Sequence, residues 1–349
     1  MYNTRRIQLK VLHTLLKLIS TLFLTGFIIF TAVTAAEAQS ITGAGSTFAA
    51  PIYTKWSDSY NKETKVQINY NSIGSGGGMK QIEVKTVDFG ATDDPVSDAD
   101  IIKMGYYQFP TVIGGVVPVI NLPGVTAGQM VLDGITLADI FQGKISKWND
   151  AAIQKLNPKL TLPASDITIV TRADGSGTTA VFTDYLSMVS KDFKQAVGSG
   201  KVVHWLPVNA IAGKGNSGVA AFIQKLPNTI GYVEYAYVKQ SKMTFTAMKN
   251  RKGQIVLPDD LTFAEAAKSA NWSIPNMSVN LNNQDGWPIT STTFIVVYKT
   301  GGANTKEVIK FFDYAFSKGN ATATELDYVP LTDKVKSKIK DDWKKLGLF

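Results

Sequence analysis

The chain has 349 residues, 44% of them hydrophobic, with 36 Lys and Arg against 28 Asp and Glu, a formal charge of +8, two histidines and no cysteine. This length suggests about two domains at roughly 150 residues each, and the apolar fraction is ample for packed cores. The missing cysteine excludes disulfides, a thiolate metal site, a cysteine nucleophile and a lipid-carrying cysteine.

At the N-terminus Arg5, Arg6, Lys10 and Lys17 precede the uncharged run "LISTLFLTGFIIFTAVTA", and "AEA" (Ala36, Glu37, Ala38) follows. That order is a basic region, an apolar region and a small-residue cleavage site. It reads as a secretory signal cut after Ala38, covering residues 1–38, with a soluble periplasmic destination. The competing reading, an uncleaved membrane anchor, rests on an apolar run approaching the ~20 residues that span a bilayer. Without the four basic residues and Glu37 the net charge falls to about +5. The lysines are dispersed and do not interleave with aromatics, so the charge argues weakly for an anionic ligand and poorly for nucleic acid.

The mature chain alternates strand and helix signals. A strand-like "SITGAGSTF" runs into "AAPIYTKWSDSYNKET", where Ile52, Trp56 and Tyr60 fall four apart and Pro51 sits in the first turn of a helix. "VQINYNSI" alternates as a half-buried strand, then "GSGGG" leads into a short helix over "MKQIEVKT". "VDFGATDDPVS" is a strand and turn, and "TVIGGVVPVINL" an apolar strand with a glycine pair. "DITIVTRADGSGTTAVFTDYLSMV" reads as strand, tight loop and helix, and "GVAAFIQKLPNTIGYVEYAYV" as helix and strand. Residues Lys239 to Asp285 are polar and irregular. "WPITSTTFIVVYKT" is a strong strand, "KEVIKFFDYAF" a helix, and Val335, Ile339 and Trp343 mark a C-terminal helix. The alternation predicts an α/β layer architecture.

Enzyme signatures are missing from this pattern. His204 is the only histidine after the signal, and no stretch shows helix-spaced metal ligands. Its place beside Trp205 suggests a satisfied structural histidine. Ser176 lacks a nucleophile elbow because Asp174 replaces the first glycine, and Ser217 fails because Val219 replaces the second. "GKGNSGVA" misses the lysine of a phosphate-binding loop, while Phe48 and Met79 end the two dinucleotide-like glycine runs.

Three glycine- and serine-containing turns, "GSTF", "GSGGG" and "DGSGTT", each open a helix. Any one is ordinarily just a helix cap. Together, with Arg172 alongside, they suggest an oxyanion site built from helix ends, where unpaired N–H groups and the positive dipole end favour negative charge. Arg172 could fork onto two ligand oxygens or pair with Asp174, and the two readings are compatible. In "TDDP" a carboxylate could accept a proton carried by the anion; equally, Asp93 and Asp94 could form an ordinary turn before Pro95.

The stretches "TGAGSTFAAPIYTKW", "IGSGGGMKQI", "VDFGATDDPVS", "FPTVIGGVV", "TRADGSGTTAVFTDYL", "GKGNSGVAAFIQKLP", "IGYVEYAY" and "WPITSTTF" resemble, in order from about Ile41, the periplasmic phosphate-binding proteins of ABC-type Pst transporters. The resemblance implies a type II periplasmic binding protein: two α/β lobes, 39–112 with 288–349 and 113–287, joined by two crossover strands with phosphate in the cleft. Carried over residue by residue, the expected phosphate contacts are Thr47, Phe48 through its N–H, Ser75, Asp93 as proton acceptor, Arg172, Ser176, Gly177 and Thr178, with Asp174 pairing with the arginine. The same resemblance implies a monomer that delivers inorganic phosphate to membrane permease subunits, without a cofactor, a metal or catalysis. A receptor for a related oxyanion or phosphonate and a phosphate-ester hydrolase using Ser176 are the alternatives. Gly76, Thr92 and Ala49 depart from the family pattern, and Lys239 to Asp285 matches it weakly.

Overall fold

The computed structural model describes residues 40–268 and 270–349, together with Lys10 and His13, so the signal read at residues 1–38 lies outside the described residues apart from those two. The fold is mixed α/β, as the alternation of motifs predicts. Eight strands carry the argument: β1 (Ser40–Gly45), β2 (Gln67–Asn71), β3 (Phe89–Thr92), β4 (Tyr106–Asn121), β5 (Thr168–Arg172), β6 (Ile211–Gly213), β7 (Thr229–Glu234) and β8 (Thr290–Tyr298). They lie in one sheet in the order β2-β1-β3-β8-β4-β7-β5-β6. β1 pairs in parallel with β2 and β3, and β5 with β6 and β7. Between these two parallel blocks β8 and β4 run antiparallel to their neighbours.

β4 joins the two blocks. Its first half pairs with β8 as far as Gly115, and its second half pairs with β7 from Val116 to Asn121. All but its last residue is buried, which is why it reads as a continuous apolar run rather than an alternating one. Its glycine pair has a packing cause. A Cβ on Gly114 would meet the Phe48 ring at 2.9 Å, and one on Gly115 the Phe263 ring at 2.1 Å.

The helices follow their apolar spacing. In α1 (Ala50–Thr64) Ile52, Tyr53, Trp56 and Tyr60 are buried, Pro51 occupies the first turn and Lys65 ends the helix in the left-handed region. The second helix, α2 (Ser75–Glu83), starts earlier than "MKQIEVKT" suggests, because the glycines after Ser75 are already helical. Two more helices flank the second parallel block, α3 (Gly177–Val189) and α4 (Gly215–Lys225). Near the C-terminus α5 (Thr305–Lys318) and α6 (Asp333–Lys345) bring Phe316 and Trp343 into a parallel stack at 5.7 Å, with the Phe109 ring edge-on to Trp343 at 5.2 Å. Under the other block Phe182 stacks on Tyr232 at 4.2 Å. Such pairs contribute roughly 0.5–1.5 kcal/mol beyond their buried area.

The segment 239–285 is more regular than its composition suggests. Strands of two or three residues at Thr244–Phe245, Ala247–Lys249 and Ile255–Val256 precede the helix Asp260–Lys268 and the 3₁₀ turn Pro275–Met277. Elements that short give no usable periodicity.

Candidate functional site

Each parallel strand leads into a helix, so the loops at the carboxyl ends of β1, β3, β5 and β6 share one edge of the sheet, where α/β proteins build ligand sites. After β1 come Ser46, Thr47 and Phe48. After β3 comes Asp93, with Arg172 closing β5 and Gly215 following β6. Residues remote in sequence meet here. Gly76 N–H donates to Gly175 O at 2.8 Å, Asn216 Nδ2 to Thr47 Oγ1 at 2.7 Å, and Tyr237 OH to Thr47 O at 2.7 Å.

Asp93 is buried at 2% exposure, with no cation bonded directly to its carboxylate. Ser46 Oγ donates to its Oδ1 at 2.5 Å and Thr293 Oγ1 to the same oxygen at 2.7 Å, while Ser75 Oγ stands 3.4 Å from Oδ2. Burial pushes its carboxyl up to about 6, against the lowering influence of the Ser46 and Thr293 hydroxyls, the Arg172 charge and Ser75. Asp94 differs entirely: it lies toward solvent and pairs with Lys201 at 2.7 Å.

Arg172 is held by Asp174. Its Nε donates to Oδ1 at 2.9 Å and its Nη2 to Oδ2 at 2.5 Å, a forked pair, while Nη1 donates to Thr178 Oγ1 at 3.3 Å. Gly215 N–H supports the same carboxylate at 2.9 Å. Burial pushes the Asp174 carboxyl up, but the hydrogen bonds and charge of Arg172 outweigh it and leave the group below its ordinary range. Three of the five guanidinium N–H donors are engaged in these bonds, and the rest remain for a ligand.

Ser176 is the one true side-chain cap among the three glycine-rich turns. Its Oγ accepts the Thr179 N–H at 3.0 Å, which leaves its O–H free to donate. Helix geometry leaves the first N–H groups of α3, at Gly177 and Thr178, without intrahelical acceptors. Gly177 itself packs against Asp93: a Cβ there would lie 2.6 Å from Asp93 Oδ2 and 2.4 Å from Ser75 Oγ. The other two turns end in Ala49 and Gly74, neither of which caps with a side chain. The Phe48 N–H, assigned to the anion by resemblance, donates to Ser46 Oγ at 3.0 Å.

Thr47, Phe48, Ser75, Asp93, Arg172, Asp174, Ser176, Gly177 and Thr178 are thus linked by contacts into one cluster at this edge of the sheet. Sequence reasoning overlooked Ser46, Thr293 and Asn216. Asn216 binds Thr47 and Thr178 through Nδ2 and accepts the Glu234 N–H through Oδ1. It lies in "GKGNSG", a run that fails as a nucleotide loop and here braces the site. Thr293 lies in the hydroxyl-rich "ITSTTF", a signal that only pairing with β3 and β4 makes meaningful. His204 corrects an expectation: Trp205 turns inward against Phe141 and Tyr232, leaving the histidine exposed. A cavity of about 360 Å³ is lined by Asp93 together with Asp94, Asp184 and Asn280, and by none of Thr47, Ser75, Arg172 or Thr178. Among the described residues no His, Asp and Glu cluster could hold a metal ion.

The family described as the PBP superfamily domain matches residues 31–318. The phosphate-binding protein PstS of Pasteurella multocida is 51% identical over 314 residues, covering 88% of this chain and 91% of the relative. That of Haemophilus influenzae is 50% identical over 315 residues, covering 88% and 94%. Among solved structures, a phosphate-binding protein from Stenotrophomonas maltophilia superposes with a TM-score of 0.68 at 18% identity, over 87% of this chain and 94% of that one. A phosphate-bound putative ABC transporter substrate-binding protein from Clostridium perfringens gives 0.63 at 19%, over 84% and 100%. The fold is that of the periplasmic binding proteins, and the chain belongs to the PBP superfamily and, within it, to the PstS family.

Proposed function

We propose that this protein captures inorganic phosphate in the periplasm and delivers it to the permease subunits of an ABC importer, as a monomer and without bond chemistry. The observation that carries this reading is Asp93: a buried carboxylate set against the N-terminus of α3, near Arg172. An anion site that includes a carboxylate suits an anion that brings its own proton. Phosphate near neutral pH keeps at least one O–H to donate, whereas sulfate has none. The names of the relatives agree with this reading.

The mechanism follows from the charges. Arg172 and Asp174 neutralise each other, so the phosphate charge falls on the free guanidinium N–H groups, the helix-end N–H groups of Gly177 and Thr178, and the hydroxyls of Thr47, Ser75 and Thr178. The two lobes, 39–112 with 288–349 and 113–287, would close over the anion about β4 and the chain entering β8. Closure excludes water and strengthens every contact. The permease would then read the closed form, whose population the ligand raises. Ser176 accepts the Thr179 N–H, which leaves its O–H free to donate to the anion, and among the described residues no base is hydrogen-bonded to it, which argues against ester hydrolysis. Calorimetry on the purified protein should give one phosphate per chain, and a phosphate monoester should not turn over. Absence of phosphate binding, or hydrolysis lost in Ser176→Ala, would contradict the proposal.

A further inference from the structure

Oδ1 and Oδ2 of Asp93 have different neighbours. Oδ1 takes two short hydroxyl hydrogen bonds, 2.5 Å from Ser46 and 2.7 Å from Thr293, enough for its two lone-pair positions. Among the described residues Oδ2 has only the 3.4 Å contact from Ser75, and it faces the Gly177 end of α3. The direction of the Ser46 bond is fixed. Its oxygen already accepts the N–H groups of Phe48 and Ala49, at 3.0 and 3.3 Å, so its single proton goes to Asp93.

Thr293 reaches Oδ1 because the sheet is irregular there. Along β8 and β4 the pairing passes from Thr292 opposite Ile113 to Phe294 opposite Pro110, so Thr111 and Val112 face Thr293 alone. A β-bulge of this kind re-aims a side chain, and Pro110, having no N–H to give the ladder, suits the position. The Asp93 backbone is fixed too: its C=O accepts Ser291 Oγ at 3.1 Å, and its N–H donates to Ser75 Oγ at 3.3 Å.

We infer that Ser46 and Thr293 are positioning residues for Asp93: by filling Oδ1 with two donated protons they hold the group as a carboxylate with Oδ2 turned to the anion, and so set the preference for a protonated oxyanion over an unprotonated one. The inference rests on the phosphate reading above. Without these donors Asp93 takes up a proton at higher pH, and a protonated Asp93 offers sulfate an O–H in place of a repelling oxygen. The titratable groups facing Asp93 are Arg172, Glu234 and the phenols of Tyr53, Tyr70, Tyr237 and Tyr328. They are common to parent and variants, so a displacement between the two belongs to the lost donor.

The test is calorimetric titration of the purified protein with phosphate and with sulfate between pH 5 and 8.5, in the parent, Thr293→Val, Thr293→Ser, Ser46→Ala and Asp93→Asn. Each lost donor should move the acid limb of the phosphate-over-sulfate ratio up by about one pH unit, roughly tenfold in that ratio on the limb, since hydrogen bonds to charged groups are of this size. Thr293→Ser should restore the parental profile. If Thr293→Val is unfolded, Ser46→Ala carries the same prediction. Unchanged profiles in the folded variants, alongside lost selectivity in Asp93→Asn, would overturn the inference and leave the phosphate reading standing. A parent that does not bind phosphate would overturn both.

Discussion

In the proposed site Asp93 combines the cost of burial with the selecting role. Burial raises its carboxyl to about 6, above the ordinary value of 3.8, so the folded state binds that proton more tightly than the unfolded chain. The sign follows: this group's contribution to stability is complete below about pH 3.8 and is lost as pH rises through about 6. In phosphate-free buffer the Asp93→Asn protein should therefore melt higher relative to the parent at pH 7.5 than at pH 4. Thermal unfolding at the two pH values measures this, and an equal difference at both would contradict it. From the sequence, "TDDP" gave no means of choosing between two adjacent acids. The resemblance pointed to the first, and the geometry separates them by burial, Asp93 inward and Asp94 on Lys201. The hydroxyls on Oδ1 were hidden because Ser46 and Thr293 lie 47 and 200 residues from Asp93.

At the scale of elements, α3 is the part that meets the other half of the site, and Gly177 is its point of contact. A methyl group there would lie 2.4 Å from Ser75 Oγ and 2.6 Å from Asp93 Oδ2, while nothing in the helix itself opposes alanine. Overpacking of this kind costs roughly 1–3 kcal/mol. Gly177→Ala should lower the melting temperature of the phosphate-free protein by a few degrees and, by displacing the N–H groups at the start of α3, weaken phosphate binding by about tenfold or more. Calorimetry and a thermal scan check the two halves of that statement. Undiminished affinity would mean that α3 does not close on Asp93. The helices themselves were legible where apolar residues recur every three or four positions, as in α1 and α6. The turns were less so: "GSGGG" reads as a loop before a helix and is the helix's first turn, which starts at Ser75 after an uncapped Gly74.

Over the whole molecule, the sheet order could not be read from the chain. Strand and helix signals predict alternation, but whether β8, from near the C-terminus, inserts between β3 and β4 depends on pairings among remote residues. That insertion brings Ser291 and Thr293 to Asp93 and puts β8 and β4 together between the two parallel blocks. The proposed site chooses its anion by the proton it carries. The most direct test is competition between phosphate and sulfate for the purified protein at pH 7. A buried site that pairs a carboxylate with a ligand O–H should favour phosphate by ~10⁴ or more. Affinities within tenfold of each other would contradict it.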